Sequence, residues 1–116
     1  MNETDLLNRH PVELPAGTPT LTPDAVEKML PLVPGWDLAD EGKGLHRRQR
    51  FADFVSAIAF VNRVAELAEV EQHHPDIHVT GYRWLDLDLS THSIGGLSDN
   101  DFIMAAKINR LFDEAA

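Results

Sequence analysis

The chain has 116 residues, is 43% apolar and carries a formal net charge of −9, which suits one hydrophobic core in one domain. It has no cysteine, so disulfides, thiolate nucleophiles and cysteine-ligated metals are excluded and a reducing compartment suits it. Its acidity repels phosphate backbones, no apolar run reaches the roughly 20 residues of a membrane span, and MNETDLLNRH has no apolar signal region; neither nucleic acid nor membrane is expected as a partner, and the location expected is cytoplasmic.

Residues 1–20 contain Pro11, Pro15, Pro19 and Gly17, which interrupt helices and ladders alike, so an extended or mobile arm is expected ahead of a domain over 21–116. Thr22, Pro23 and Asp24 read as a helix start: a hydroxyl cap, a proline in the first turn and an acid beside it. Val26, Met29, Leu30 and Val33 continue it as one stripe, and Pro31 ends it early. Residues 36–39 and 45–51 flank the turn DEGKG, whose Gly42 and Gly44 predict a hairpin.

From Ala52 the period becomes helical. Phe54, Ile58, Val61, Ala65 and Ala68 form a stripe that Phe60, Val64 and Leu67 widen, opposite Asp53, Ser56, Arg63 and Glu66. So wide a face predicts burial on two sides, against a sheet and against a partner subunit. The helix must stop before Pro75, which leaves Glu69 about one turn ahead of His73.

A second hairpin follows. Ile77 and Val79 alternate with His78 and Thr80, Gly81 turns the chain, and Leu85, Leu87, Leu89 and Thr91 face one way while Trp84, Asp86, Asp88, Ser90 and His92 face the other. Gly95 and Gly96 break the run. Ser98 caps a final helix, Asp101 completes a capping box, and Phe102, Ala105, Ile108, Asn109 and Phe112 supply its apolar stripe. The order helix, hairpin, helix, hairpin, helix predicts an α+β fold: a four-stranded antiparallel sheet with three helices packed on one face.

The chemistry concentrates in residues 69–101. His73 and His74 stand side by side before Pro75, and His92 closes the strand-like run. Imidazole titrates near neutrality, so histidines gathered in a cleft can move protons there. Adjacent residues of an extended segment point opposite ways, so the tandem pair can share a site only if the backbone turns there, which Pro75 favours. If the sheet carries the end of the second hairpin to that turn, His92 joins them, with Glu69 and Asp101 in range to hold tautomers. Two other readings stay open: histidines that only cap a helix and end a strand, and a three-imidazole zinc site, whose spacing fits no short ligand motif. No nucleophile elbow and no phosphate-binding glycine loop is present.

These residues carry a resemblance. PGW at 34–36, the run RFADFVSAIAFVNRVAELAE, then Glu69, His73, His74, Pro75, Tyr82, His92 and Asp101 at their intervals, and STHSIGGLSDNDF at 90–102 resemble the pterin-4a-carbinolamine dehydratases. The resemblance covers residues 22–109 and implies the same antiparallel sheet with three helices, assembled as a homodimer or tetramer. It implies a hydro-lyase that dehydrates 4a-hydroxytetrahydrobiopterin to the quinonoid dihydropterin, recycling the cofactor of aromatic amino-acid hydroxylases. In that reading His73 and His92 are the acid–base pair and His74 is a third catalytic residue that also holds the pterin. Glu69 and Asp101 orient the imidazoles, the peptide groups at Ser90 and Thr91 border the ring, and no metal or redox cofactor is needed. The turn VTGYRW, with HSIGGLSDNDF, also resembles dehydratase-like proteins that act as Rubisco assembly factors, which implies as the alternative a non-catalytic protein whose partner is the Rubisco large subunit.

Overall fold

The leucine alternation that marks the second hairpin becomes the heart of the sheet. In the computed structural model, which describes residues 1–115, β4 (Trp84–Leu89) lies between β2 (Gly44–Arg50) and β3 (Asp76–Thr80), with β1 (Asp37–Ala39) outside β2. All three pairings are antiparallel. Leu85, Leu87 and Leu89 are fully buried on one face, and Leu45 joins them opposite Leu89. The other face carries Trp84, Asp86 and Asp88, where His46 lies 3.1 Å from Asp86 and 2.9 Å from Asp88 and the Arg48 guanidinium sits over the Trp84 ring. An alternating strand thus packs one side and solvates the other.

Helices α2 (Pro23–Met29), α3 (Phe54–Glu71) and α4 (Asp99–Ala115) contribute Val26, Met29, Phe60, Val64, Phe102, Ile103 and Ile108 to the core on the leucine face. The α+β architecture and helix–hairpin order follow the expectation. Thr22 caps α2 by accepting from the Ala25 amide, and the chain tightens into a 3-10 turn at Leu30–Leu32 where Pro31 forbids another α turn. No helix among the described residues is long and apolar enough to cross a membrane.

Four details depart from the expectation. The arm is not extended throughout: a further helix, α1 (Glu3–Leu7), is closed by a reciprocal capping box between Asn2 and Asp5 and buries Leu6 completely. The prolines that suggested an extended arm all lie beyond it, and residues 9–22 form no helix or strand. In α3, Ala57, Phe60, Val64 and Ala68 enter the core while Phe54 and Ala65 face outward, so the buried stripe is rotated from the one expected. Helix α4 is buried on every side from Asn100 to Asn109, because α1 and α3 pack against it as well as the sheet. Finally, β4 stops at Leu89, and His92 begins a 3-10 turn, His92–Ile94, instead of ending a strand. Thr91 pairs with Gly96 in an isolated bridge that closes this loop.

Candidate active site

The tandem histidines share a site because α3 ends in a left-handed turn. Gln72 adopts φ 55° and ψ 39°, and the His73 amide reaches back to the Ala68 carbonyl, closing the helix one turn below. The chain then changes direction within one residue, Pro75 is buried, and both imidazoles face the same cavity.

Each imidazole has its own carboxylate. His73 Nε2 lies 2.7 Å from Asp101 Oδ1, and His74 Nε2 lies 2.5 Å from Glu69 Oε2. The first pair is enclosed, with side chains 12% and 0% exposed; the second is open, at 55% and 72%. Because a carboxylate only accepts, each imidazole donates through Nε2, which leaves Nδ1 of a neutral ring as the acceptor. Nδ1 of His73 has no hydrogen-bond partner among the described residues.

Asp101 is fully buried and would be costly there without donors. Its Oδ2 accepts from the Thr91 hydroxyl at 2.8 Å and from the Ser98 amide at 3.0 Å, and Oδ1 faces His73. The Ser98 amide bond is one half of the capping box of α4. Ser98 Oγ in turn accepts from the Asn100 amide and lies 2.7 Å from Thr91 Oγ1. A helix cap and a site carboxylate are therefore the same residue. The loop after β4 is tied to both, since Thr91 bonds Asp101 and also pairs with Gly96.

His73, His74, Ser90, Thr91 and His92 line one cavity of about 540 Å³. Glu69 and Asp101 stand behind two of its histidines. The His92 ring has no hydrogen-bond partner among the described residues and is exposed, so it can exchange protons with solvent. Ser90 Oγ donates to the Lys43 carbonyl at 2.9 Å, tying this loop to the β1–β2 turn. A larger cavity, about 660 Å³, lies between α2 and that turn. It is lined by Leu21, Val26, Leu30 and Leu38 with only Glu27 and Glu41 as titratable groups, and holds no group arranged for proton transfer. Among the described residues, no three His, Asp or Glu side chains are grouped to hold a metal ion.

The sequence reading missed other parts of the cavity wall. Glu71, Gln72, Ser93 and Asn100 line it, as do Pro11, Val12, Glu13 and Leu14 from the arm. Glu71 is salt-bridged to Lys107 at 2.6 Å and lies 2.8 Å from His10 Nδ1. Burial pushes the Glu71 carboxyl up, but hydrogen bonds from Lys107 and His10 and their charges outweigh it and hold the group below its ordinary value. The charge and position of Lys107, on a helix stripe otherwise apolar, were the available signal for a buried ion pair; nothing in the arm's composition pointed to the cavity.

Comparison with known proteins finds relatives over most of the chain. The family described as Pterin 4 alpha carbinolamine dehydratase matches residues 19–111. A protein of Xanthomonas campestris, provisionally named a pterin-4-alpha-carbinolamine dehydratase, is 51% identical over 87 residues, covering 75% of this chain and 73% of that protein. Pterin-4-alpha-carbinolamine dehydratase 2, mitochondrial, of Arabidopsis thaliana is 45% identical over 93 residues, 78% of this chain and 50% of its own length. Among solved structures, a transcriptional coactivator/pterin dehydratase from Brucella melitensis superimposes with a TM-score of 0.74 at 32% identity, covering 80% of this chain and 98% of its own. A pterin dehydratase-like protein identified as a RuBisCO assembly factor in the alpha-carboxysome shares the fold, with a TM-score of 0.57 at 23% identity over 66% of this chain and 88% of its own. With the match running from the arm's end through most of α4, the chain belongs to the pterin-4a-carbinolamine dehydratase family.

Proposed function

We propose that the protein is a 4a-hydroxytetrahydrobiopterin dehydratase acting by histidine general acid–base catalysis, in the recycling of tetrahydrobiopterin. The observation that carries the reading is one cavity lined by three imidazoles, one of them held by a fully buried carboxylate. Loss of water from the carbinolamine breaks the C4a–O bond and forms a C=N bond to the adjacent ring nitrogen. It needs one proton delivered to the leaving hydroxyl and one removed from that nitrogen. His73, whose Nε2–H is committed to Asp101, offers Nδ1 as the base. His92, unpartnered and solvent-exposed, delivers the proton to the departing oxygen and is recharged by water. His74, bonded to Glu69, holds the pterin, and the peptide groups at Ser90 and Thr91 border its ring. No nucleophile and no redox cofactor enters the step.

Positioned acid–base groups contribute about 10²- to 10⁴-fold to such steps. The purified protein is expected to accelerate carbinolamine dehydration followed by absorbance, and His73→Ala or His92→Ala to remove most of that gain while melting remains cooperative. A wild-type protein with no effect on the rate leaves the rival in front: a binding protein for the Rubisco large subunit. Under that rival the β3–β4 turn would matter, where Arg83 donates to the Phe51 and Ala52 carbonyls and holds exposed Tyr82 beside the start of α3. A pull-down from the native cell tests it directly. The exposed Phe54 and Val55 on α3 support assembly as a homo-oligomer, and light scattering of the purified protein measures it.

A further inference from the structure

The arm ahead of the family match lines the histidine cavity and is tethered at Arg9, His10 and Val12. Arg9 pairs with Asp99 at 3.1 Å, and His10 lies against the Glu71–Lys107 pair. The Val12 amide donates to Asn100 Oδ1 at 3.0 Å, and Asn100 Nδ2 donates back to the Val12 carbonyl at 2.7 Å. Asn100 is 4% exposed, so its side-chain amide is committed to this pairing. A two-bond amide clasp from a buried asparagine fixes the backbone at Val12, and with it the neighbours on either side. Pro11, Val12, Glu13 and Leu14 thereby become part of the cavity wall.

Two carboxylates line that cavity, and they differ in what they have left to offer. Glu71 is taken up by Lys107 and His10. Glu13 has no hydrogen bond and no ion pair among the described residues. A carboxylate with both oxygens unengaged, at the edge of a cavity that also presents imidazoles and hydroxyls, is matched by a ligand edge with two parallel N–H donors. The 2-amino-4-oxo pyrimidine ring of a pterin has such an edge, in its ring N–H and exocyclic amino group. We infer that residues 11–14 are part of the substrate site, with Glu13 accepting from the amino-pyrimidine edge and Pro11, Val12 and Leu14 covering the ring. Glu13 is then a specificity-determining residue supplied from outside the family's shared region. The inference rests on the pterin reading of the cavity.

The test uses two stable heterocycles of the same size: pterin, and lumazine, in which an oxo group replaces the 2-amino group. Binding to the full-length protein is measured by fluorescence quenching for wild type and Glu13→Gln. The wild type is expected to prefer pterin. Glu13→Gln, an exposed and nearly isosteric change, is expected to weaken pterin binding roughly 10-fold, as loss of a charge-assisted hydrogen bond does, and to leave lumazine within about twofold. Hydrogen exchange at residues 12–14 is expected to slow when pterin is added. Equal pterin affinity in the two proteins, or pterin and lumazine weakened alike by the substitution, overturns the role of Glu13 while the pterin reading stands. Wild-type protein that binds neither heterocycle removes the pterin reading and this inference together.

Discussion

The two histidine–carboxylate pairs beside the cavity use the same chemistry in opposite settings. The pair at the start of α4, His73 with Asp101, is enclosed, and Asp101 is also bonded by Thr91 and Ser98. The pair at the end of α3, His74 with Glu69, stands in solvent and depends on a single contact. The contrast teaches what burial adds to a histidine–carboxylate contact. In solvent the imidazole and carboxylate are screened and free to part, whereas an enclosed carboxylate with its remaining lone pairs occupied can only stay where it is. Under the proposed function, orientation of the acid–base ring therefore falls to the inner pair, and adaptable contact with a ligand to the outer one.

The largest effect that separates them is on rate. His73→Ala is expected to lower kcat/KM for carbinolamine dehydration by about 10²- to 10⁴-fold, and His74→Ala by about 10-fold, through KM, as loss of one hydrogen bond to the ligand does. Equal losses from the two substitutions would erase the distinction. The next effect is on stability. Asp101→Asn keeps the shape but turns one of its two acceptors into a donor, facing either His73 or the Thr91 and Ser98 donors, and is expected to cost about 1–3 kcal/mol in urea unfolding. Glu69→Gln, at an exposed pair, is expected to stay within about 0.5 kcal/mol of wild type.

The smallest effect concerns a third carboxylate, Glu71, which lies between the two pairs in burial and is bonded to Lys107 and His10. Its folded-state pKa is lowered from an ordinary value of about 4.5. Its contribution is therefore complete above that ordinary value and is lost as pH falls through the lower folded value. Wild type is expected to lose more stability than Glu71→Gln when urea unfolding is compared at pH 6 and pH 3. Parallel losses would mean that the pair contributes no acid-sensitive stability.

Local chemistry made much of this legible in the sequence. The Ser98–Asp101 capping box announced both where α4 begins and that Asp101 would be held at its first turn, because a cap is a contact between residues three apart. The leucine alternation of β4 likewise announced its buried face. What local chemistry left unresolved was pairing and orientation. Glu69 stands about one turn before both histidines, and only the left-handed Gln72 decides that it meets His74 and leaves His73 to Asp101. The facing of α3 was legible in part: Phe60, Val64 and Ala68 enter the core as expected, but its apolar residues cover so much of the circumference that packing, and not periodicity, buries Ala57 and leaves Phe54 and Ala65 outside. The tethered arm was not legible: an amide clasp between Val12 and Asn100 spans 88 positions and leaves no periodic trace.

Under the proposed function, the double duty of Asp101 ties activity to the last described element in chain order. Helix α4 follows every other described element in chain order, and the residue bonded to His73 is also the one that caps this helix. A polypeptide made only as far as β4 would hold both tandem imidazoles and lack the carboxylate proposed to orient one of them. On that reading, a chain stalled or clipped before α4 would carry every proposed acid–base histidine without the brace for His73.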